Sequence, residues 1–390
     1  MKRFAAFVIA AVVSVAAAEP SSAQTHDESQ LDSSSVAYVY VASNPSNNSY
    51  QISGFGAASD GALTPIPGSP FSTGASFVLY MVGEQGWLFG TGDPDIYSFS
   101  IAADGALKPA SVIDTRDYAN KVSYPYSLSL DRTGDTLYNN DFYADGANNS
   151  YQFFDLNQAS GALSYFGTVG YFPEWETPLS FLGNNQYAYG ASCYLGVQDI
   201  YGFSRSSNGT LTNLNISPSI PAAPDEGYCP SGAAADSSNH VAVAFWPTTN
   251  GYSQSGPAQL AVYSADASGN LTTNSTYENM PTTAVTYVWN MAMSPSGDLV
   301  AVSGPNGVQV FHFNGANPIT PYTGLLTNNP VGQIFWDNNH HLYALVPAQE
   351  AGPSPGRLLV FTVTPKSYGQ APGSPYTIIS PICITVVPKS

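Results

Sequence analysis

The sequence predicts an all-β protein, a seven-bladed β-propeller with four antiparallel strands in each blade. Three observations predict this fold class. A Gly followed two residues later by Leu recurs along the chain, and the segments between these marks are short runs rich in aromatic and β-branched residues. The last run of the chain, in addition, has no partner within its own unit.

The recurring Gly-x-Leu landmark divides the chain into seven units. Two copies are degenerate, one around Gly315 with Ile319 and one around Gly369, and the seven marks lie 44 to 60 residues apart. This period suits a propeller blade of four short strands. The five clear copies are Gly61 with Leu63, Gly105 with Leu107, Gly161 with Leu163, Gly209 with Leu211, and Gly269 with Leu271.

The strand order within a unit is clearest in the second blade. Turn-forming dipeptides such as Asp104-Gly105 separate runs of four to eight residues, and no helical period is present. We expect the innermost strand to come first and the outermost strand last. The four predicted strands are Ser76 to Met81, Trp87 to Gly90, Ile96 to Ile101, and Leu107 to Ile113.

The two ends of the folded region are predicted to close the ring. Ala37 to Ala42 matches a second strand, so the first blade lacks its inner strand at the amino end. The unpaired run from Ile382 to Val387 can supply that strand. Pairing the two runs would leave no open sheet edge between the first and last blades.

The amino terminus predicts export. Lys2 and Arg3 precede an apolar run from Phe4 to Ala18, which suits a signal peptide and is short for a membrane span. We therefore predict a signal peptide over residues 1–23, with cleavage after Ala18 or Ala23 left open. A flexible leader is expected over 24–35 and the propeller over 36–390. The mature protein is expected in the periplasm or outside the cell, without membrane insertion.

Composition excludes several classes of partner. Only 9% of the residues are charged, against about 25% in ordinary soluble domains, and the net charge is −17. Nucleic acid and anionic membranes would be repelled.

Cys193 and Cys229 are predicted near the top of adjacent blades, where they form either a disulfide or two small buried hydrophobes. Cys383 is left unpaired in both cases.

Three segments carry a resemblance to a known family: YVYV at Tyr38 to Val41, DGALTPIPGSPF at Asp60 to Phe71, and MSPSGD at Met293 to Asp298. With these motifs the chain resembles the lactonase-like, YVTN-repeat β-propellers over nearly the whole mature length. The resemblance implies a seven-bladed propeller of the exported branch. The family also includes cytoplasmic 6-phosphogluconolactonases, so the resemblance names lactone hydrolysis as a candidate activity.

The loops that enter blades three, four and five are predicted to form a ligand groove on the top face. This face carries the connections from second to third strand and from each outer strand to the next blade. Acids beside aromatic rings can bind a sugar, a cation or calcium, although the same residues would also serve as solubilising loops. The candidate ligand-binding residues are Asp114, Arg116, Asp117, Glu174, Trp175, Glu176, Asp225, Glu226 and Tyr228.

Two functions follow from this face. The preferred one is a non-catalytic scaffold that binds a carbohydrate, a peptide or another cell-envelope ligand. The alternative is a hydrolase of an unphosphorylated lactone, with Glu174 or Glu176 as acid or base and calcium as a candidate ion. No cofactor motif is present, and His240, His340 and His341 fall in predicted turns of the opposite face, which argues against a histidine-based site on top. The sequence leaves the oligomeric state open.

Overall fold

The computed structural model confirms the predicted fold class. Within the described residues, 30 β-strands form seven antiparallel sheets, each a blade of the propeller. The predicted signal peptide and almost all of the predicted leader lie outside these residues. The described ranges are 35–46, 50–74, 78–84, 86–116, 123–143, 149–171, 178–194, 197–224, 226–249, 253–348 and 354–389.

The first four blades follow one another along the chain. Blade one contains β1 (Ala37–Ser43), β2 (Gln51–Ala57), β3 (Leu63–Pro65) and β4 (Phe71–Ser72). Blade two contains β5 (Met81–Glu84), β6 (Trp87–Thr91), β7 (Asp95–Ile101) and β8 (Leu107–Asp114). Blade three contains β9 (Ser123–Leu130), β10 (Thr136–Tyr143), β11 (Asn149–Leu156) and β12 (Leu163–Tyr171). Blade four contains β13 (Ser180–Phe181), β14 (Tyr187–Tyr194), β15 (Val197–Arg205) and β16 (Leu211–Asn213).

The last three blades continue the same order, and the final strand returns to blade one. Blade five contains β17 (Gly227–Ala235), β18 (His240–Thr248), β19 (Gln259–Ala265) and β20 (Leu271–Thr272). Blade six contains β21 (Asn290–Met293), β22 (Leu299–Gly304), β23 (Gly307–Asn314) and β24 (Asn317–Pro321). Blade seven contains β25 (Gln333–Trp336), β26 (His341–Val346), β27 (Pro355–Val363), β28 (Tyr368–Gln370) and β29 (Tyr376–Ile379), and β30 spans Pro381–Pro388.

The ring closes as the sequence predicted. Strand β30 pairs antiparallel with β1, placing Val39 opposite Val386 and Val41 opposite Ile384. The sheet order β3-β2-β1-β30 makes the carboxyl-terminal strand the innermost strand of blade one. Because the two chain ends belong to one sheet, backbone hydrogen bonds hold the first and last segments of the fold together.

The inner strand of blade two is shifted from its predicted position. The sequence predicted it from Ser76 to Met81. Ser76 and Phe77 lie outside the described residues, and β5 begins at Met81 and ends at Glu84. The hydroxyl of Thr91 accepts the backbone N–H groups of Leu79 and Tyr80 at 3.2 and 3.0 Å. These two backbone N–H groups are therefore bonded to the Thr91 side chain. The regular backbone pairing of β5 with β6 starts only at Met81.

The apolar core is divided among the interfaces between blades. Seven clusters of buried side chains occur among the described residues, and each joins two neighbouring blades. One of them packs Tyr40 of blade one against Leu88 of blade two. Another packs Leu345 of blade seven against Val39 of blade one. Every blade is therefore buried on both of its faces, as expected for sheets stacked around a ring.

The Gly-x-Leu landmark marks the contact between one blade and the next. Gly105, Gly209 and Gly269 each adopt positive φ in the turn before the outermost strand. Their carbonyl oxygens accept hydrogen bonds of 2.7 to 2.8 Å from tyrosines on the second strand of the preceding blade. The degenerate copy at Gly369 differs, because this glycine lies on β28 itself. In these three pairs the donors are Tyr40, Tyr138 and Tyr189, in the same order.

His341, which was predicted in a bottom-face turn, begins β26 and has a structural role. Asp337 caps the turn between β25 and β26, and one carboxylate oxygen accepts the backbone N–H groups of Asn339 and His341. The other oxygen lies 2.7 Å from His341 Nδ1 and accepts the hydroxyl of Tyr343. Burial raises the pKa of Asp337, but the hydrogen bonds from His341 outweigh it and leave that pKa below its usual value.

Candidate functional site

The inner strands of the blades surround a central channel that contains two connected cavities. The upper chamber, of about 490 Å³, lies where inner strands begin and second strands end, which is the predicted top face. The lower chamber, of about 530 Å³, extends toward the turns of the opposite face. Tyr80, Pro178 and Trp289 line both chambers, so the two cavities adjoin. Among the described residues, the charged side chains of Glu84, Asp131 and Arg132 line only the lower chamber.

The lower end of the channel is tied together by Arg132, in the turn between β9 and β10. Its guanidinium donates to the carbonyl oxygen of Phe181 at 2.6 and 2.9 Å and to that of Asp236 at 2.8 Å. Burial lowers the pKa of Arg132, whereas the carboxylates of Asp236 and Glu84 oppose this change. The contacts join blades three, four and five at the bottom of the channel.

Aromatic rings form the wall of the upper chamber. Tyr126 and Trp289 are 41% and 50% exposed, which is high for large apolar side chains beside a cavity. Tyr80 and Trp246 complete this wall. These four rings come from blades two, three, five and six, so only the closed ring brings them together.

Two β-bulges shape the upper chamber. On β9, Pro125 lies opposite Asp141 and Ser127 opposite Asn140, which leaves Tyr126 as the extra residue. The same irregularity on β17 leaves Ser231 without a partner across the ladder. A bulge turns one side chain away from the regular alternation of a strand. Both extra residues line the upper chamber.

The polar groups of the upper chamber are uncharged. Asn290 Oδ1 accepts the backbone N–H of Ile334, and Gln333 Oε1 accepts that of Ile384. Because each oxygen faces the next blade, each amide leaves its NH₂ group for another acceptor. The buried hydroxyl oxygens of Ser127 and Ser231 have no hydrogen-bond partner among the described residues. The chamber wall therefore combines flat rings with amide and hydroxyl groups.

No described residue of this wall has a pKa near neutrality. The ionisable side chains that line the upper chamber are Tyr80 and Tyr126, apart from the disulfide-bonded Cys193. Burial raises the pKa of both tyrosines above its usual value. Both phenols are consequently neutral at physiological pH. The described wall is equipped to hold an uncharged ligand and carries no general base of its own.

The disulfide alternative is the one that the structure contains. Cys193 on β14 and Cys229 on β17 are bonded, with their Cα atoms 5.2 Å apart. Cys193 lines the upper chamber, and Pro230 beside Cys229 does so too. The bond therefore joins blades four and five at the chamber wall. Cys383 is free and buried on β30.

The described members of the predicted acidic groove lie away from both chambers. Asp114 ends β8 and forms an ion pair of 2.6 Å with Arg116, which holds the pKa of Asp114 below its usual value. Glu226 is exposed. Tyr228 is 4% exposed and donates its hydroxyl to Gln259 Oε1 at 2.7 Å. Asp117, Glu174, Trp175, Glu176 and Asp225 lie outside the described residues.

Sequence reasoning missed the aromatic wall because it searched the loops for charge. Tyr126, Trp246 and Trp289 were not among the candidates, although all three lie near strand ends: Tyr126 in the first half of β9, Trp289 directly before β21, and Trp246 two residues before the end of β18. These are the strand ends that the predicted alternation places on top. A search for aromatic residues at those positions would have found them.

The described part of the chain contains neither a candidate metal site nor a membrane-spanning helix. No group of three or more His, Cys, Asp or Glu side chains is arranged there to hold a metal ion. No helix in the same residues has the length and apolar character needed to cross a membrane.

The fold and the channel define the protein as a seven-bladed β-propeller with a top-face cavity whose described lining is aromatic and uncharged. No protein-family model and no curated protein matches the chain. Among solved structures it is similar to a candidate 6-phosphogluconolactonase from Bacteroides fragilis, with 14% identity, a TM-score of 0.65, and coverage of 92% of this chain and 99% of that chain.

Two further structures show the same architecture. A candidate 6-phosphogluconolactonase from Bacteroides uniformis is 13% identical, with a TM-score of 0.59 and coverage of 90% of this chain and 99% of that one. A hypothetical selenium-binding protein from Sulfolobus tokodaii is 8% identical, with a TM-score of 0.53 and coverage of 91% and 93%. At these identities the similarity establishes a shared fold.

Proposed function

We propose that this protein is an exported recognition propeller that binds an uncharged carbohydrate of the cell envelope at the upper chamber. Export is supported by the basic start and the apolar run from Phe4 to Ala18. Membership of the lactonase-like, YVTN-repeat family is supported by the motifs at Tyr38 to Val41 and Asp60 to Phe71. The ligand class is argued from the chamber itself.

The observation that carries this proposal is a pair of exposed rings, Tyr126 and Trp289, beside a cavity whose described lining has no charged side chain. Flat aromatic rings cover the apolar faces of sugars. The NH₂ groups of Asn290 and Gln333 and the hydroxyls of Ser127 and Ser231 suit sugar hydroxyls and ring oxygens. Phosphate groups are usually bound by Arg or Lys and calcium by carboxylates, and the described lining of the upper chamber contains neither.

A glycan array followed by titration calorimetry tests the proposal. Trp289→Ala should weaken the binding of an array-positive glycan by about tenfold or more, because it removes an exposed stacking surface. Tyr368→Ala is the matched control, since Tyr368 is also 50% exposed but lies on the outermost strand of blade seven. An array without any neutral glycan signal would contradict the proposal.

The same titration separates the chamber from the predicted acidic groove. If the ligand lies among the loops that carry Glu174, Trp175 and Asp225, Trp175→Ala would abolish binding while Trp289→Ala would leave it unchanged. The proposal expects the larger loss from Trp289→Ala. The two variants therefore locate the ligand by opposite outcomes.

Hydrolysis of an unphosphorylated lactone is the second candidate function. It is favoured by the two Bacteroides structures, which are candidate 6-phosphogluconolactonases of the same fold. The described chamber lacks a general base, so this function would need a loop carboxylate such as Glu174 or Glu176. A panel of lactones assayed with and without calcium tests it, with Glu174→Gln and Glu176→Gln as variants. Absence of turnover by the parent protein would reject the activity.

A further inference from the structure

The aromatic wall of the upper chamber continues outward across the junction of blades five and six. Trp246 lines the chamber, and its ring contacts that of Tyr287 edge to face, with centroids 6.4 Å apart and planes at 74°. Tyr287 is 45% exposed and lies two residues before Trp289. A line of rings thus leads from the channel to the rim.

A third cavity begins at Tyr287. This outer groove, of about 370 Å³, is formed by Gln254, Gly256, Pro257, Thr283, Ala284, Thr286 and Tyr287. None of these side chains is charged. The loop that carries Gln254 folds back along the end of β18, where the backbone N–H of Ser255 donates to the carbonyl oxygen of Pro247. The groove therefore lies beside Trp246, on the same strand end.

The amide of Gln254 leaves an unsatisfied acceptor in the outer groove. Its Nε2 atom donates to the carbonyl oxygens of Gly256 and Thr286, at 2.5 and 2.7 Å. Carbonyl oxygens only accept hydrogen bonds, so the amide atom that faces both of them must be the nitrogen. This fixes the orientation of the Gln254 amide. The opposite atom, Oε1, is buried and has no hydrogen-bond partner among the described residues. A donor that enters the groove, such as a hydroxyl group, would satisfy it.

We infer that the upper chamber and the outer groove are successive subsites for one linear, uncharged polysaccharide. This inference rests on the proposed function and extends it from a single sugar to a chain. One unit occupies the chamber against Trp289, the chain passes over Trp246 and Tyr287, and a later unit donates a hydroxyl to Gln254 Oε1. Both cavities have uncharged described linings, so the polymer carries no regular charge.

The test is a length series of neutral oligosaccharides, from the monosaccharide to the hexasaccharide, in the malto-, cello- and chito- forms. Dissociation constants are measured by titration calorimetry with the full mature chain. In the series that binds, affinity should rise by about tenfold or more between the shortest and longest members, because a second stacking surface and hydrogen bond are added.

Variants at Tyr287 locate the second subsite. Tyr287→Ala should reduce hexasaccharide affinity to near that of the monosaccharide and leave monosaccharide affinity unchanged. Tyr287→Phe retains the ring and should retain the length dependence, which separates loss of stacking from a folding defect. Tyr277→Ala, an exposed tyrosine outside the groove lining, should alter neither constant.

The outcomes separate this inference from the proposed function. Binding that is equally tight for all lengths would overturn the second subsite and leave the chamber as a sugar site. Failure of every oligosaccharide to bind would overturn both. Displacement of a bound hexasaccharide by uncharged peptides of matched length, with equal or higher affinity, would also overturn the inference, because the groove would then be a peptide site.

Discussion

The hydroxyl of Tyr189 in blade four donates a 2.8 Å hydrogen bond to the carbonyl oxygen of Gly269 in blade five, and both groups are buried. Tyr189→Phe would leave that carbonyl without a partner, so we expect the free energy of unfolding to fall by about 1–2 kcal/mol. Urea unfolding measures the change. The half-exposed Tyr368 supplies the control, since Tyr368→Phe should change the same quantity by less than about 0.5 kcal/mol. Equal effects at the two positions would contradict the role of the blade contact.

Gly269 and Gly68 share the same backbone φ of 81° but differ in their surroundings. A Cβ atom at Gly269 would lie 2.6 Å from the ring of Tyr187, whereas at Gly68 it would lie 3.6 Å from Phe71. Gly68→Ala should therefore destabilise the protein by about 1–2 kcal/mol, from backbone strain alone. Gly269→Ala should cost at least about 1 kcal/mol more, because the ring of the preceding blade must move.

Thermal or urea unfolding of the two alanine variants provides the comparison. If both lose the same stability, the turn glycine is required only for its φ, and the close approach between blades contributes nothing. A larger loss of stability in Gly269→Ala would show that glycine is required at this landmark by the close packing of the neighbouring blade as well as by its backbone conformation.

Acid should weaken the cap formed by Asp337. Its pKa in the folded protein lies below its usual value, so its contribution is complete above the unfolded pKa of about 3.9 and is lost as pH falls through the folded pKa. The Asp337→Asn variant should consequently be destabilised most, relative to the parent protein, at about pH 7. The difference from the parent should narrow at about pH 3, where the Asp337 carboxyl of the unfolded parent is largely protonated.

Urea unfolding of the parent and of Asp337→Asn at the two pH values checks this. If the difference in the free energy of unfolding is the same at both pH values, the charge of Asp337 does not contribute to the stability of the turn.

The disulfide between Cys193 and Cys229 encloses a separation of 36 residues and joins two blades at the chamber. Its loss in the Cys193→Ser, Cys229→Ser double variant should lower the free energy of unfolding by about 2–4 kcal/mol. Adding a reductant to the parent should reproduce this loss, whereas the double variant should not respond to it. A parent protein that unfolds identically with and without reductant would contradict the prediction.

The blade pattern was predictable because it is local. The turn at Asp104-Gly105 and the alternating runs around it follow from preferences of nearby residues, and the period they create defines the blades. Ring closure was also predictable, since Ile382 to Val387 had no partner left except the run that begins at Ala37. The inner strand of blade two was shifted because a side chain, Thr91, replaces part of the ladder.

The candidate site was less predictable, because its residues are far apart in the sequence. Tyr126 and Trp289 meet at one cavity only after four blades are placed around the axis. A bulge at Tyr126 also changes which side chain faces the channel, and a single-residue shift of this kind leaves no trace in the alternation pattern.

The number of blades, the order of their strands and the segment that closes the ring follow from the sequence, because turn chemistry and strand periodicity act over a few residues. Only the folded ring shows which side chains meet at the channel and that Cys193 pairs with Cys229. Those contacts depend on the stacking of blades and on the register of each strand, which packing across the whole ring sets.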